Sequence, residues 1–126
     1  GTLKREVNYK NNKYDGQYLK YSEDSVLLIE KNYKEGEIEG KDNSYFKNGN
    51  VAYKSFYEKG EKEGKWIFNN EDGTPYKIEN YNKGKKDGEW KEYHLDGTVK
   101  AEIIYKKDKL ISKKEFDKQG NLKEKE

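Results

Sequence analysis

Residues 81–93 read Tyr-Asn-Lys-Gly-Lys-Lys-Asp-Gly-Glu-Trp-Lys-Glu-Tyr, and the spacing of their aromatic residues and glycines recurs along the chain. Tyrosines stand at intervals of 24 residues, as Tyr9, Tyr33, Tyr57, Tyr81 and Tyr105. In the interior units, glycines follow three and seven residues later, as Gly36 and Gly40, Gly60 and Gly64, and Gly84 and Gly88. A fixed period of this length is typical of repeat proteins, in which each unit packs against its neighbours.

Each unit is predicted to form a β-hairpin. Residues 99–106 alternate between a mostly apolar and a mostly polar set, which indicates a strand with one buried face. The dipeptides Asn48-Gly49, Asp72-Gly73 and Asp96-Gly97 favour two-residue turns with positive φ at both central positions. Lys59-Gly60 and Lys83-Gly84 mark the opposite ends of the hairpins. No helical period of useful length is present.

Stacked hairpins predict an all-β fold in which five tandem repeats of about 24 residues form one elongated, twisted, single-layer antiparallel meander sheet. Ten strands at the usual spacing would extend roughly 45 Å. We expect one domain over residues 1–126, with units at about 9–32, 33–56, 57–80, 81–104 and 105–126. The first and last units are degenerate, with Asn12, Asp108 and Ser112 at glycine positions, and are predicted to be caps.

Local departures from the pattern give three further expectations. The glycine two residues before each tryptophan, as in Gly64 and Trp66, is predicted to leave room for a neighbouring tyrosine ring. Pro75 is expected to break the strand phase with a bulge, so that Tyr76 and Ile78 take the apolar side. In the second unit Asp42 replaces the tryptophan, which leaves one aromatic position empty.

The motif Tyr-x-x-Gly-x-x-x-Gly-x-Trp-x-x-Tyr of residues 81–93 resembles the MORN repeat. The 24-residue spacing with an Asn-Gly or Asp-Gly turn is similar to the bacterial variant of that repeat. The resemblance covers essentially the whole chain and is strongest in the third and fourth units. It implies stacked hairpins that serve as scaffolds, membrane-proximal linkers or partner-binding surfaces, and some bacterial relatives are classed as antitoxin-like.

Composition disfavours an enzyme with a thick core. Of 126 residues, 41% are charged and 30% hydrophobic, whereas aromatic residues reach 14%, which suits a thin, half-exposed sheet. The 27 basic and 25 acidic residues are interleaved, so no single-signed surface for nucleic acid is evident. The chain has no cysteine and no methionine, and we expect that Gly1 follows a cut made in a longer protein.

No group of residues in the sequence predicts catalysis, a cofactor or a metal site. Residues 60–65 differ from a phosphate-binding loop, which needs four residues between its glycines and a Ser or Thr after its lysine. His94 is the single histidine and is predicted to be an exposed turn residue. The serines lack a nucleophile-elbow setting, and the carboxylates alternate with lysines as expected for cross-strand ion pairs.

The aromatic residues remain as candidates for partner binding. We expect one face of the sheet to carry Tyr45, Tyr57, Trp66, Tyr81, Trp90 and Tyr93. The sequence therefore predicts a non-enzymatic interaction module that binds a protein through this face or by pairing a strand at a free edge. Alternatives are a cell-envelope protein that binds glycans or lipid head groups, and an antitoxin-like neutraliser of a toxin. Dimerisation through sheet edges stays open, and export is slightly favoured over the cytoplasm.

Overall fold

The computed structural model describes residues 4–123, which form one open antiparallel sheet of twelve strands. No helix occurs in this described part of the chain, so the predicted all-β fold is confirmed. The strands are β1 (Lys4–Lys10), β2 (Lys13–Tyr21), β3 (Leu27–Lys34), β4 (Glu37–Tyr45), β5 (Val51–Glu58), β6 (Glu61–Lys62), β7 (Gly64–Asn69), β8 (Pro75–Asn82), β9 (Lys85–Lys86), β10 (Gly88–Tyr93), β11 (Val99–Lys106) and β12 (Lys109–Glu115).

The sheet is a meander, because neighbours along the chain are hydrogen-bonded neighbours in space. The order is β1-β2-β3-β4-β5-β7-β8-β10-β11-β12, with β6 paired to β5 and β9 paired to β8. Only Glu63 separates β6 from β7, and only Asp87 separates β9 from β10. Each of these pairs is therefore one strand that a bulge interrupts. Five hairpins result, whereas the division into five sequence units with the bounds given above stays a prediction.

The turn types are the reverse of those expected. Positive φ at both central positions occurs at the lysine ends of the hairpins, where Lys59 and Gly60 have φ of 52° and 78°. In the loop with Asp72-Gly73, only the glycine has positive φ. The Asp72 carboxylate accepts hydrogen bonds from the Thr74 N–H at 2.9 Å and the Thr74 hydroxyl at 2.6 Å, and these bonds lower the pKa of Asp72. This side-chain cap fixes a wider loop and competes with the two-residue turn.

All six interior glycines of the repeat have positive φ. The prediction that Gly64 leaves room for a tyrosine ring is wrong. Gly64 does lie opposite Tyr81 in the strand register, as expected. A Cβ built at Gly64 would nevertheless meet no atom within 4 Å, so the glycine does not make room for a ring. Its φ of +76° at the bulge is what favours glycine there. Ser112, at the same position in the last unit, has no positive φ, since that hairpin has one residue fewer.

The expectation at Pro75 is correct in part. A register shift does occur opposite Pro75, between Phe68 and Asn69, although the same shift recurs in other hairpins without proline. Ile78 pairs with Ile67 on the face opposite Trp66, whereas Glu79 takes the buried place beside the tryptophan. The strand phase is therefore kept, and the prediction for Ile78 is wrong. The Tyr76 ring is exposed and lies 6.1 Å from that of Phe68.

Candidate functional site

One face of the sheet carries a continuous row of stacked rings, which we call the aromatic ladder. It consists of Tyr57, Trp66, Tyr81, Trp90 and Tyr105, with successive ring centroids 5.0 to 5.3 Å apart. The rings meet at 59° to 65°, which is close to the edge-to-face arrangement that aromatic quadrupoles favour. The hairpins place them there because each tryptophan lies between the tyrosines of its own and the next hairpin.

Both tryptophans are interior residues even though the sheet has a single layer. Trp66 is 7% exposed and Trp90 is 9% exposed. The Trp90 indole N–H donates to the Asn80 carbonyl at 2.9 Å, and the Trp66 N–H donates to the Phe56 carbonyl at 3.3 Å. Each indole N–H therefore donates to a carbonyl of the preceding strand, next to the bulge in the tryptophan's own strand. Little tryptophan surface is left for a partner.

Two lysines cover the ladder. The Lys62 Nζ lies 4.7 Å from the Trp66 ring centroid and 4.9 Å from that of Tyr81. The Lys86 Nζ lies 5.0 Å from the ring of Trp90 and 4.9 Å from that of Tyr105. Since a cation over a ring face is attracted by the ring quadrupole, these lysines add to the stacking and shield the rings from solvent.

Asp42 interrupts the ladder at the position where the next two units have tryptophan. Its carboxylate is buried and accepts a hydrogen bond from the Tyr53 hydroxyl at 3.3 Å, while its main-chain oxygen accepts one from the Ser55 hydroxyl. Burial raises the pKa of Asp42, and Lys31 and the Tyr53 hydroxyl oppose that rise. Burial also raises the pKa of Tyr53 to about 12, so its hydroxyl stays a donor at neutral pH. The empty aromatic position is thus filled by a polar cluster.

A second buried carboxylate, Glu79, lies within the ladder. Glu79 accepts a hydrogen bond from the Tyr81 hydroxyl at 2.8 Å and forms an ion pair with the Lys77 Nζ at 3.2 Å. Burial and the bond to Glu79 raise the pKa of Tyr81. Because the Tyr81 hydroxyl is held by Glu79, we explain this cluster by packing.

Tyr45 and Tyr93 do not belong to the ladder, so the expectation that six aromatic residues share one face is wrong. Each follows the ladder position of its strand by three residues, and alternation places it on the opposite face. The Tyr45 hydroxyl donates to the Glu30 carboxylate at 3.0 Å on that face. Whether any of the six predicted residues contacts a partner stays a prediction.

A recurring carboxylate joins each hairpin to the next, and sequence reasoning missed it. An acidic residue in each bulge accepts the backbone N–H of the tight turn 20 residues later; at the third hairpin, Glu63 accepts from Lys83 at 2.8 Å. The other three pairs are Asp15 with Glu35, Glu39 with Lys59, and Asp87 with Lys107, at 3.1, 2.6 and 3.2 Å. The 24-residue recurrence of these acids was the available signal. Ile111 takes this position in the last hairpin.

The C-terminal edge of the sheet exposes apolar residues. Leu110 is 56% exposed and Ile111 is 59% exposed, and both lie in β12. Leu122 pairs with Phe116, and the Lys123 N–H donates to the Glu115 carbonyl, so the described part of the chain turns back over the end of β12. Within residues 4–123, nothing pairs with the outer side of Lys109–Lys114. This edge combines free backbone groups with apolar side chains.

Among residues 4–123, no three His, Asp or Glu side chains are grouped so as to hold a metal ion, and no helix there could cross a membrane. His94 is half-buried, and its Nε2 lies 2.9 Å from the Phe116 carbonyl oxygen. The prediction of an exposed turn histidine is therefore wrong, because the next loop along the sheet packs against it.

Residues 62–83 and 86–107 each match the family model described as a MORN repeat variant. The two matches begin 24 residues apart, in agreement with the period of the tyrosines. They cover the tryptophan strands, the Asp-Gly loops and the strands that follow, which is the part of the chain with the most regular ladder. No curated protein matches the chain.

Proposed function

We propose that this chain, which contains two adjacent MORN-variant repeats, is a non-catalytic module that binds a protein partner by adding a partner strand to β12. MORN repeats are in general protein- or membrane-lipid-binding modules without catalytic activity of their own. That general role leaves the partner and the surface open. The exposed edge of β12 is the observation on which the choice of surface rests.

Strand addition needs a row of free backbone groups and side chains that a partner can cover. The outer side of Lys109–Lys114 supplies the backbone groups, and Leu110 and Ile111 supply apolar contacts on the two faces of the sheet. At the other edge of the sheet, β1 exposes one large apolar residue, Tyr9, among charged and polar neighbours. The C-terminal edge is therefore the better docking strand.

Charge favours a foreign, acidic partner over a second copy of the chain. β12 contains Lys109, Lys113 and Lys114 against one acid, Glu115. Two copies paired through β12 would bring like charges together, as would pairing with β1, which has three basic residues and one acid. Lysines at an edge commonly prevent self-association in this way. A partner segment with alternating acidic and apolar residues would complement both features.

The aromatic ladder stabilises the sheet and is not the proposed binding surface. Its tryptophans are buried, and its lysines cover the rings, so we assign the ladder to holding the hairpins in register. Binding at the half-exposed edges of Tyr57 and Tyr81 stays a prediction. The antitoxin-like and cell-envelope roles likewise stay predictions.

Affinity capture with matched variants tests the proposal. The double variant Leu110→Ser, Ile111→Ser removes the apolar contacts at exposed positions, where surface changes cost little folding stability. Leu95→Ser is the control, because Leu95 is 92% exposed in the loop that precedes β11, whereas Leu110 lies opposite Tyr105 near the other end of β11. The proposal predicts a protein that binds the native chain and the Leu95 variant in purified form and binds the double variant at least about tenfold more weakly. Equal binding by all three chains would refute the edge as the site.

A further inference from the structure

We propose that a groove on the face opposite the aromatic ladder binds a neutral oligosaccharide, with Phe56 as the stacking platform. The groove crosses β2, β3, β4 and β5 and has a volume of about 290 Å³. Its lining includes Gln17, Glu30, Asn32, Gly40, Lys41 and Phe56. This site is independent of the β12 edge and of the protein partner proposed above.

Phe56 departs from the repeat in a way that folding does not explain. At 24-residue intervals its place is taken by Asn8, Asn32 and Asn80, and by Ile104 in the last hairpin. The Asn8 and Asn80 side chains donate to carbonyls of the adjacent strand, at 3.2 Å to Gln17 and at 2.6 Å to Glu89. Phe56 forgoes that bond and leaves its ring 44% exposed. An exposed flat apolar ring among polar groups is the usual platform for a sugar ring.

Free polar groups surround that ring. Gln17 lies opposite Asn32 in the strand register, and Lys41 lies opposite Phe56. The side-chain amides of Gln17 and Asn32 make no hydrogen bond to any residue between 4 and 123. Each amide offers donors and an acceptor, which are the groups that pair with sugar hydroxyls. The aromatic platform and the amides together form the mixed lining that a saccharide needs.

Gly40 keeps the floor of the groove open. A Cβ built at Gly40 would lie 3.9 Å from the Asn32 Cβ, so it would point into the groove. With a positive φ of 87°, this position favours glycine for its backbone as well. A ligand can therefore approach the main chain between Asn32 and Phe56.

Charge points to a neutral ligand. Glu30 and Lys41 place one charge of each sign on this face of the groove. Lys31 also lines the groove, but it lies opposite Asp42 in the strand register, so its side chain is on the ladder face. A phosphate or a carboxylate therefore gains no net attraction on this face. Glu30 is already held by the Tyr45 hydroxyl at 3.0 Å. The volume is near the lower limit for small-molecule sites and fits one or two sugar rings. A short neutral saccharide satisfies these conditions.

Titration of the ¹⁵N-labelled chain with cellotetraose and with chitotetraose tests the site. At millimolar sugar, one of the two should shift the backbone signals of Asn32, Lys41 and Phe56 and the side-chain amide signals of Gln17 and Asn32. Trp66 and Trp90 fluorescence should stay constant, because both indoles lie on the other face. Absence of shifts with both sugars would overturn the proposal, as would shifts centred on the tryptophans.

A matched pair of variants completes the test. Phe56→Asn introduces the residue that stands at positions 8, 32 and 80 and should weaken binding about tenfold while the fold is kept. Ile104→Asn also replaces an exposed apolar residue by Asn, at the equivalent position of the last hairpin and outside the groove, and should bind as the native chain does. Equal affinity of the Phe56 variant and the native chain, with both folded by their spectra, would overturn the role of Phe56.

Discussion

Gly64 provides a sharp test of why glycine stands in each bulge. Its φ is +76°, and a Cβ there would meet no atom within 4 Å. Gly64→Ala should therefore cost only the backbone term of a side chain at positive φ, about 1–2 kcal/mol. Asn accepts positive φ several-fold more readily than other side chains, so Gly64→Asn should cost roughly 0.5–1 kcal/mol less than Gly64→Ala, although Asn is larger.

Urea unfolding of the two variants and the native chain, followed by circular dichroism, measures this difference. The fold itself contains a precedent, because Asn12 and Asp108 stand at turn-glycine positions with φ of 65° and 68°. A cost that rose with side-chain size, with Asn worse than Ala, would refute the backbone explanation. It would restore the alternative in which the missing side chain makes room for the Tyr81 ring.

Three further perturbations have defined outcomes. Because the pKa of Asp42 is raised above its ordinary value of 3.8, its contribution to stability is full below that pH and is lost as pH rises through the folded pKa. Asp42→Asn should thus gain stability relative to the native chain as the pH rises above 3.8 in urea unfolding; a pH-independent difference would contradict this. Trp90→Phe loses the bond to Asn80 and part of the ring contact, and should cost roughly 1–2 kcal/mol, with Trp66 emission as the probe. Glu63→Ala should speed hydrogen exchange at the Lys83 amide, whereas Glu63→Gln keeps an acceptor and should change it little; equal exchange in both variants would argue against the carboxylate contact.

Sequence reasoning was sufficient for the sheet and its order, because period and alternation are both local signals. The 24-residue recurrence of the tyrosines requires equivalent strands at equal steps, and a meander is the simplest connection between them. Strand alternation also predicts that Tyr45 and Tyr93 lie on the face opposite the ladder, because each is an odd number of residues from the ladder position of its strand. The error there was one of register and not of fold.

Other features depend on contacts between units, which a linear pattern does not show. The Asp72-Gly73 and Asp96-Gly97 dipeptides predict two-residue turns, yet the aspartate side chains accept hydrogen bonds from the following threonines and so change the turn type. The role of Glu63 depends on a turn 20 residues away that only the stacked hairpins bring close. Likewise, burial of both tryptophans follows from lysines and tyrosines that converge from two hairpins.

Hydrogen exchange of the chain with and without its captured protein partner tests the proposed function most directly. If the partner adds a strand to β12, amides within Lys109–Lys114 should exchange more slowly in the complex, since free edge groups become paired. Amides of the loops on the opposite side of the hairpins should be unchanged. Protection confined to the aromatic ladder strands β7 and β10, with β12 unaffected, would contradict the account.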